Sequence, residues 1–129
     1  MSKISDFLTE AGVFYLATAD GSQPKLRPLG LHFELDGKLC FGVGKFKNVY
    51  KQMQENPLVE IVACKPDSHW LRYTGKAVFE DDPKFVEAAF EAMPELRKIY
   101  TDTSIMGVFH LEDATAVEIA MMGEGESLL

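Results

Sequence analysis

Five side chains of this sequence suit a small anion: Arg27, Lys45, Lys47, Asn48 and Lys51. Four of them lie in GVGKFKNVYKQM, residues 42–53, which runs out of an apolar strand into a stretch of helical period. The N-terminus of a helix carries free backbone N–H groups and a partial positive charge. Lysines there are locally unfavourable unless an anion compensates them, and a bound phosphate would do so. Lys47 and Asn48 fall in the first turn, within reach of such a group. The competing reading is a solvated lysine cluster on a loop. A nucleotide-triphosphate loop is excluded, because that pattern needs GxxxxGK[ST] and Lys45 is followed by Phe46.

Arg27 shares one strand face with Lys25, Leu29, Leu31, Phe33 and Leu35. A cation on a core-facing row must sit at the open end of the sheet or find a partner. Its planar fork matches a phosphate bidentately; a salt bridge to Glu10 or Asp20 is the structural alternative.

Elsewhere the titratable residues form no chemical constellation. His32, His69 and His110 are dispersed and fit no ligand spacing, although His32 is near Arg27 on the opposite face of the same strand. No Ser-His-Asp arrangement and no metal site is legible. Cys40 and Cys64 stand singly in strand-like runs and read as buried thiols, with no CxxC between them.

The 129 residues suffice for one domain, residues 1–129, with 121–129 read as a frayed tail. No apolar run approaches the roughly 20 residues that span a bilayer, and the N-terminus has no signal-peptide pattern. A cytoplasmic protein is expected. Charge is uneven: residues 1–51 hold seven cations against five acids, and residues 80–129 three against twelve. An acidic protein repels nucleic acid at long range, so its basic spot suits a small anion better than a polyanion.

The elements that must position these residues follow from pattern. A short amphipathic helix over 2–11 ends at Gly12. Strands are expected at 13–18, 24–35 and 38–43, with turns at Asp20-Gly21 and Asp36-Gly37. A helix at 46–55 stops at Asn56-Pro57. A strand buried on both faces follows at 58–64. The long strand at 69–81 is expected to bend or bulge at Gly75. Asp82 caps a helix with Pro83 in its first position, and a second short helix reaches Tyr100. Two final strands, 106–111 and 114–120, are joined by a tight turn at Glu112-Asp113. This is a mostly β chain, an antiparallel barrel with inserted helices.

The segment RPLGLHFELDGKLCFGVGKFKNVYKQMQENPLVEI, residues 27–61, resembles the flavin-binding split-barrel proteins related to pyridoxamine 5′-phosphate oxidase. The likeness lies in an Arg-Pro early in strand two, a DG turn, a Lys-Asn pair opening a helix, and an Asn-Pro closing it. WLRYTGKAVFEDD, residues 70–82, is similar to the following family strand. The resemblance runs from about residue 4 to 120. It implies a six-stranded antiparallel Greek-key split barrel, a homodimer, and FMN in clefts at the dimer interface. By it, Arg27, Lys47 and Asn48 would hold the phosphate. Pro28, Leu29, Gly42, Val43 and Gly44 would lie along the ribityl chain and ring. Trp70 and Arg72 would meet flavin or substrate from the second subunit; for Trp70 a core or dimer-interface anchor is the alternative. The implied activity is FMN-dependent oxidation or reduction of a small organic substrate, with a reduced nicotinamide as one donor. No catalytic acid or base is assigned, and neither metal, nucleic acid nor membrane is implied. The family's named enzymes grip substrate with an Arg-rich C-terminal segment, whereas no Arg follows Arg97 here, so vitamin B6 oxidation is not expected. A non-catalytic flavin-binding or stress-related protein, or a barrel holding deazaflavin or haem, are the alternatives.

Overall fold

A computed structural model describes residues 2–120, 123 and 125–129. Helix α1 (Lys3–Ala11) is capped by Ser2, whose Oγ accepts the Ser5 N–H at 2.9 Å, and ends where Gly12 turns to φ +84°. It buries Ile4, Phe7 and Leu8. Strands β1 (Phe14–Asp20) and β2 (Gln23–Leu29) form the first hairpin, and β3 (His32–Leu35) and β4 (Lys38–Gly44) the second. Asp36 and Gly37 both take positive φ, as the two-residue turn of the second hairpin requires. Helix α2 (Asn48–Glu55) buries Val49, Gln52 and Met53 and ends before Asn56-Pro57. Strands β5 (Leu58–Cys64) and β6 (Trp70–Phe79) follow. Asp82 caps α3 (Pro83–Ala92), its Oδ1 accepting the Lys84 N–H at 3.0 Å. A four-residue helix α4 (Leu96–Ile99) and a 3₁₀ turn (Thr103–Ile105) lead into β7 (Met106–Ile119), with β8 (Gly125–Ser127) beside it.

All pairings are antiparallel, in the order β2-β1-β5-β6-β7-β4-β3, with β8 on β7. The two ends of this order, β2 and β3, are joined only by Gly30 and Leu31. The sheet must therefore curl until its edges approach, and the result is a split barrel. One buried cluster fills it: Phe14, Leu16, Phe41, Val43, Ile61, Leu71 and Phe109, closed by α1 and by Val49 and Met53 of α2. A second lies outside it, where Phe85, Ala89 and Phe90 of α3 pack on Leu31, Phe33, Cys40 and Val108.

Several expectations are corrected. Among the described residues the sheet has eight strands, where the resemblance implied a six-stranded barrel. The expected strand 24–35 is two strands, because β2 pairs with β1 while β3 pairs with β4. The two expected C-terminal strands are one. Between Thr74 and Lys76 the register shifts against β7, where Thr115 and Glu112 face them, and Asp113 absorbs the extra residue at φ +50°. Gly75 lies opposite this bulge, where a Cβ would meet Glu112 O and the Cβ atoms of Leu111 and Ala114, all at 3.1 Å. β1 and β5 bury one face each, leaving Tyr15 and Leu58 exposed. Phe46 precedes α2 and is exposed. Cys64 is exposed, while Cys40 is buried as expected. Of the expected frayed tail, residues 121, 122 and 124 lie outside the described residues, whereas 125–127 pair with β7. Among the described residues no helix is long and apolar enough to cross a membrane.

Candidate functional site

A cavity of about 550 Å³ opens where the two buried clusters meet. Its cationic end is formed by Arg27, Lys47 and Asn48. Pro28, Leu29, Gly30 and Leu31 line it from the β2–β3 passage, and Gly42 and Val43 from β4. Met93, Leu96, Tyr100 and Met106 make an apolar wall opposite. The fold puts these together because β4 is buried on both faces. Phe41 and Val43 point into the barrel, while Cys40 and Gly42 face the side covered by α3 and the segment after it. A Cβ at Gly42 would stand 2.8 Å from Leu31 Cδ2 and 3.0 Å from Met106 Sδ, so both side-chain ends would have to shift.

Arg27 is half-buried and makes three hydrogen bonds, all to neutral oxygens. Nη1 donates to Leu16 O at 3.0 Å and to Thr18 Oγ1 at 2.8 Å, and Nη2 donates to Gln52 Oε1 at 2.9 Å. Thr18 Oγ1 in turn donates to Gln52 Oε1 at 2.6 Å. The expected alternative, an ion pair with Glu10 or Asp20, is not formed; Glu10 pairs with Lys65 at 3.4 Å. Among the described residues no ion pair involves Arg27, Lys45, Lys47 or Lys51. Burial pulls the Arg27 pKa down from the ordinary arginine value. A guanidinium stays charged in proteins, so the site contains a partly desolvated cation without a counter-ion.

Lys47 stands at the N-cap of α2 in an extended conformation. No side chain caps the helix, and its first turn has no acid. Lys47, Asn48 and Val49, at this helix end, line the same cavity as Arg27, and the arrangement can hold an anion.

Seven of the ten residues expected at the site line this cavity: Arg27, Pro28, Leu29, Gly42, Val43, Lys47 and Asn48. Gly44 lies just beyond it, against Phe46 and Tyr100. Trp70 and Arg72 lie apart, on the outward side of β6, whose alternate residues Leu71 and Tyr73 are buried. Arg72 pairs with Glu60 at 2.6 Å and lies over the Trp70 ring at 5.0 Å. Sequence reading missed Thr18 and Gln52, which hold Arg27, and the apolar wall from Met93 to Met106. A buried glutamine on an apolar helix face was the one available signal.

The histidines lie elsewhere. His32 packs edge-on to Phe14 with its Nδ1 buried and unpartnered, and burial outweighs the nearby Glu34 in pulling its pKa down. His69 Nδ1 pairs with Glu118 at 2.9 Å. His110 lies between Glu80 and Glu112, each at 2.8 Å; the Glu80 contact has the length of an ion pair but not the angle of a hydrogen bond. Among the described residues no group of three His, Cys, Asp or Glu side chains could hold a metal.

Comparison with known proteins agrees with this architecture. Residues 1–120 match the family model described as pyridoxamine 5′-phosphate oxidase. A NimC/NimA family protein from Clostridium acetobutylicum is 38% identical, with a TM-score of 0.91 over 98% of this chain and 89% of that one. An FAD-binding protein from Mesorhizobium loti is 18% identical (TM-score 0.64, 93% of this chain and 96% of that one). A haem-binding protein from Mycobacterium smegmatis is 19% identical (TM-score 0.75, 94% and 54%). At these identities the last two share the fold alone. No curated protein matches the sequence. From its sequence match and its split-barrel architecture, the chain belongs to the pyridoxamine 5′-phosphate oxidase family.

Proposed function

We propose that the cavity binds FMN, with the phosphate at Arg27, Lys47, Asn48 and the α2 N-terminus, and that the protein is an FMN-dependent oxidoreductase for a small organic substrate. The observation that carries this reading is Arg27, whose partners among the described residues are all neutral oxygens. An anion completes that site; another neutral ligand would not. The volume suits a cofactor, since ligand pockets run from about 300 to 1,000 Å³. Pro28, Leu29, Gly42 and Val43 offer an apolar lining for a flat ring. When bound, the flavin supplies the electron transfer, and the chain's residues anchor, orient and exclude water. The described lining contains no Asp, Glu, His or Cys, which fits a site whose chemistry is the cofactor's.

The protein would act as a homodimer. From Pro28 at the cavity, the outward row of the sheet runs through Tyr15 and Val62 to Arg72. Exposed Val13, Tyr15 and Leu26 give this side an apolar surface that a second copy would cover. Trp70 and Arg72 of that copy could then approach the flavin.

The same acid-free lining also favours a second reading, a flavin-binding protein without turnover. Steady-state assays of the FMN-loaded protein separate the two, using NADH or NADPH as donor and menadione as acceptor. Nicotinamide oxidation well above that of free FMN supports the oxidoreductase; rates equal to free FMN refute it and leave the binding protein.

A further inference from the structure

Arg27 is held by side chains from two other elements, Thr18 of β1 and Gln52 of α2, both more than nine-tenths buried. The direction of every bond in this triangle is fixed. Arg27 can only donate. Thr18 Oγ1 therefore accepts from Nη1 and must use its single hydrogen toward Gln52 Oε1. Gln52 must present its carbonyl oxygen, because both neighbours approach it as donors. Three of the five guanidinium N–H groups are thereby occupied, and two remain for a ligand.

Gln52 lies four residues after Asn48, so the two share one helix face. Asn48 lines the cavity while Gln52 grips Arg27. The Gln52 contact therefore sets the first turn of α2 in register with the guanidinium. These are the two halves of the anion site, joined by a contact between residues 25 apart in the chain.

A carboxylate at position 52 would accept the same two hydrogen bonds and neutralise the cation as well. The amide makes the contacts and leaves the charge uncompensated. We infer that Gln52 and Thr18 are a positioning pair that aims Arg27 at a phosphomonoester and, by being uncharged, keeps the site selective for a dianion. This rests on the phosphate reading of the cavity and assigns what enforces it.

The test measures affinity for FMN and for riboflavin, its phosphate-free counterpart, in wild type and variants, with thermal stability recorded alongside. Gln52→Glu is expected to raise the FMN Kd at least tenfold, leave the riboflavin Kd within twofold, and leave Tm unchanged or higher through the new ion pair. A merely structural role would lower both affinities together, or lower Tm. Thr18 provides a second route if Gln52→Glu fails to fold. Thr18→Ser should keep wild-type discrimination, whereas the near-isosteric Thr18→Val should lose several-fold of it. The inference is overturned if Gln52→Glu keeps the wild-type ratio of FMN to riboflavin affinity, or if Thr18→Ser and Thr18→Val behave alike. If unsubstituted protein binds FMN and riboflavin equally, the phosphate reading itself fails and the pair's role falls with it.

Discussion

Replacing Arg27 by alanine separates the charge of the site from its shape. The side chain has two N–H groups to offer a ligand, since three of five are bound within the chain. Hydrogen bonds to a charged partner contribute about 1.5–3 kcal/mol each. Arg27 is only half-buried, so solvent screens part of that gain, and about 1.5–3 kcal/mol for the whole side chain is the better figure. At 1.4 kcal/mol per decade, the FMN Kd should rise roughly ten- to a hundredfold. Riboflavin affinity should change little, because Pro28, Leu29, Gly42 and Val43 are untouched. The fold should survive, since Thr18 still donates to Gln52 at 2.6 Å, so that of the three acceptors that lose Arg27 only Leu16 O is left without a partner in this triangle. Isothermal titration calorimetry with both ligands, at fixed ionic strength, reads the two constants. An equal loss for FMN and riboflavin would refute the electrostatic argument and leave Arg27 as a wall of the cavity.

Lys47→Ala should weaken FMN less than Arg27→Ala does, and wild-type FMN affinity should fall as salt is raised from about 0.05 to 0.5 M; an affinity indifferent to salt contradicts a phosphate anchored by these cations. Gly42→Val should lower FMN and riboflavin affinity alike, because its Cβ displaces Leu31 and Met106 toward the cavity; calorimetry on both ligands reads the loss. Burial pushes the Cys40 thiol up from its ordinary value near 9.0 to about 11. An unfolded chain gives up that proton first, so Cys40 favours folding at low pH and its contribution drains away between about pH 9 and 11. Cys40→Ala should flatten that part of a stability-versus-pH curve measured by chemical denaturation. At pH 8 iodoacetamide should label exposed Cys64 alone, as mass spectrometry of the native protein would show.

Legibility in the sequence followed the range of the interaction. The Asp36-Gly37 turn and the Asp82-Pro83 helix start were readable because each is decided by adjacent residues with a special backbone preference. The placing of Lys47 and Asn48 at one helix end was readable for a similar reason, since both stand next to each other in the chain. The division between β2 and β3 was hidden because the apolar parity of Leu29, Leu31 and Phe33 continues through Gly30 without a slip, while the hydrogen-bond partner changes. Glu112-Asp113 carries turn chemistry, but the bulge opposite Gly75 uses that freedom inside one continuous strand. Apolar residues on both faces of β5 read as two-sided burial, although one of those faces is open in the single chain. Thr18 and Gln52 lie 34 residues apart and meet only because β1 and α2 pack together. No periodicity announces such a contact, nor the meeting of Met93, Tyr100 and Gly42 around one cavity.

The visible spectrum of the purified protein, recorded before and after adding FMN and dialysing, tests the central claim most directly. A retained flavin spectrum at about one FMN per chain is the predicted result, with riboflavin lost under the same dialysis. A colourless protein that releases FMN would contradict the account and leave Arg27 as a cation held only by Leu16, Thr18 and Gln52.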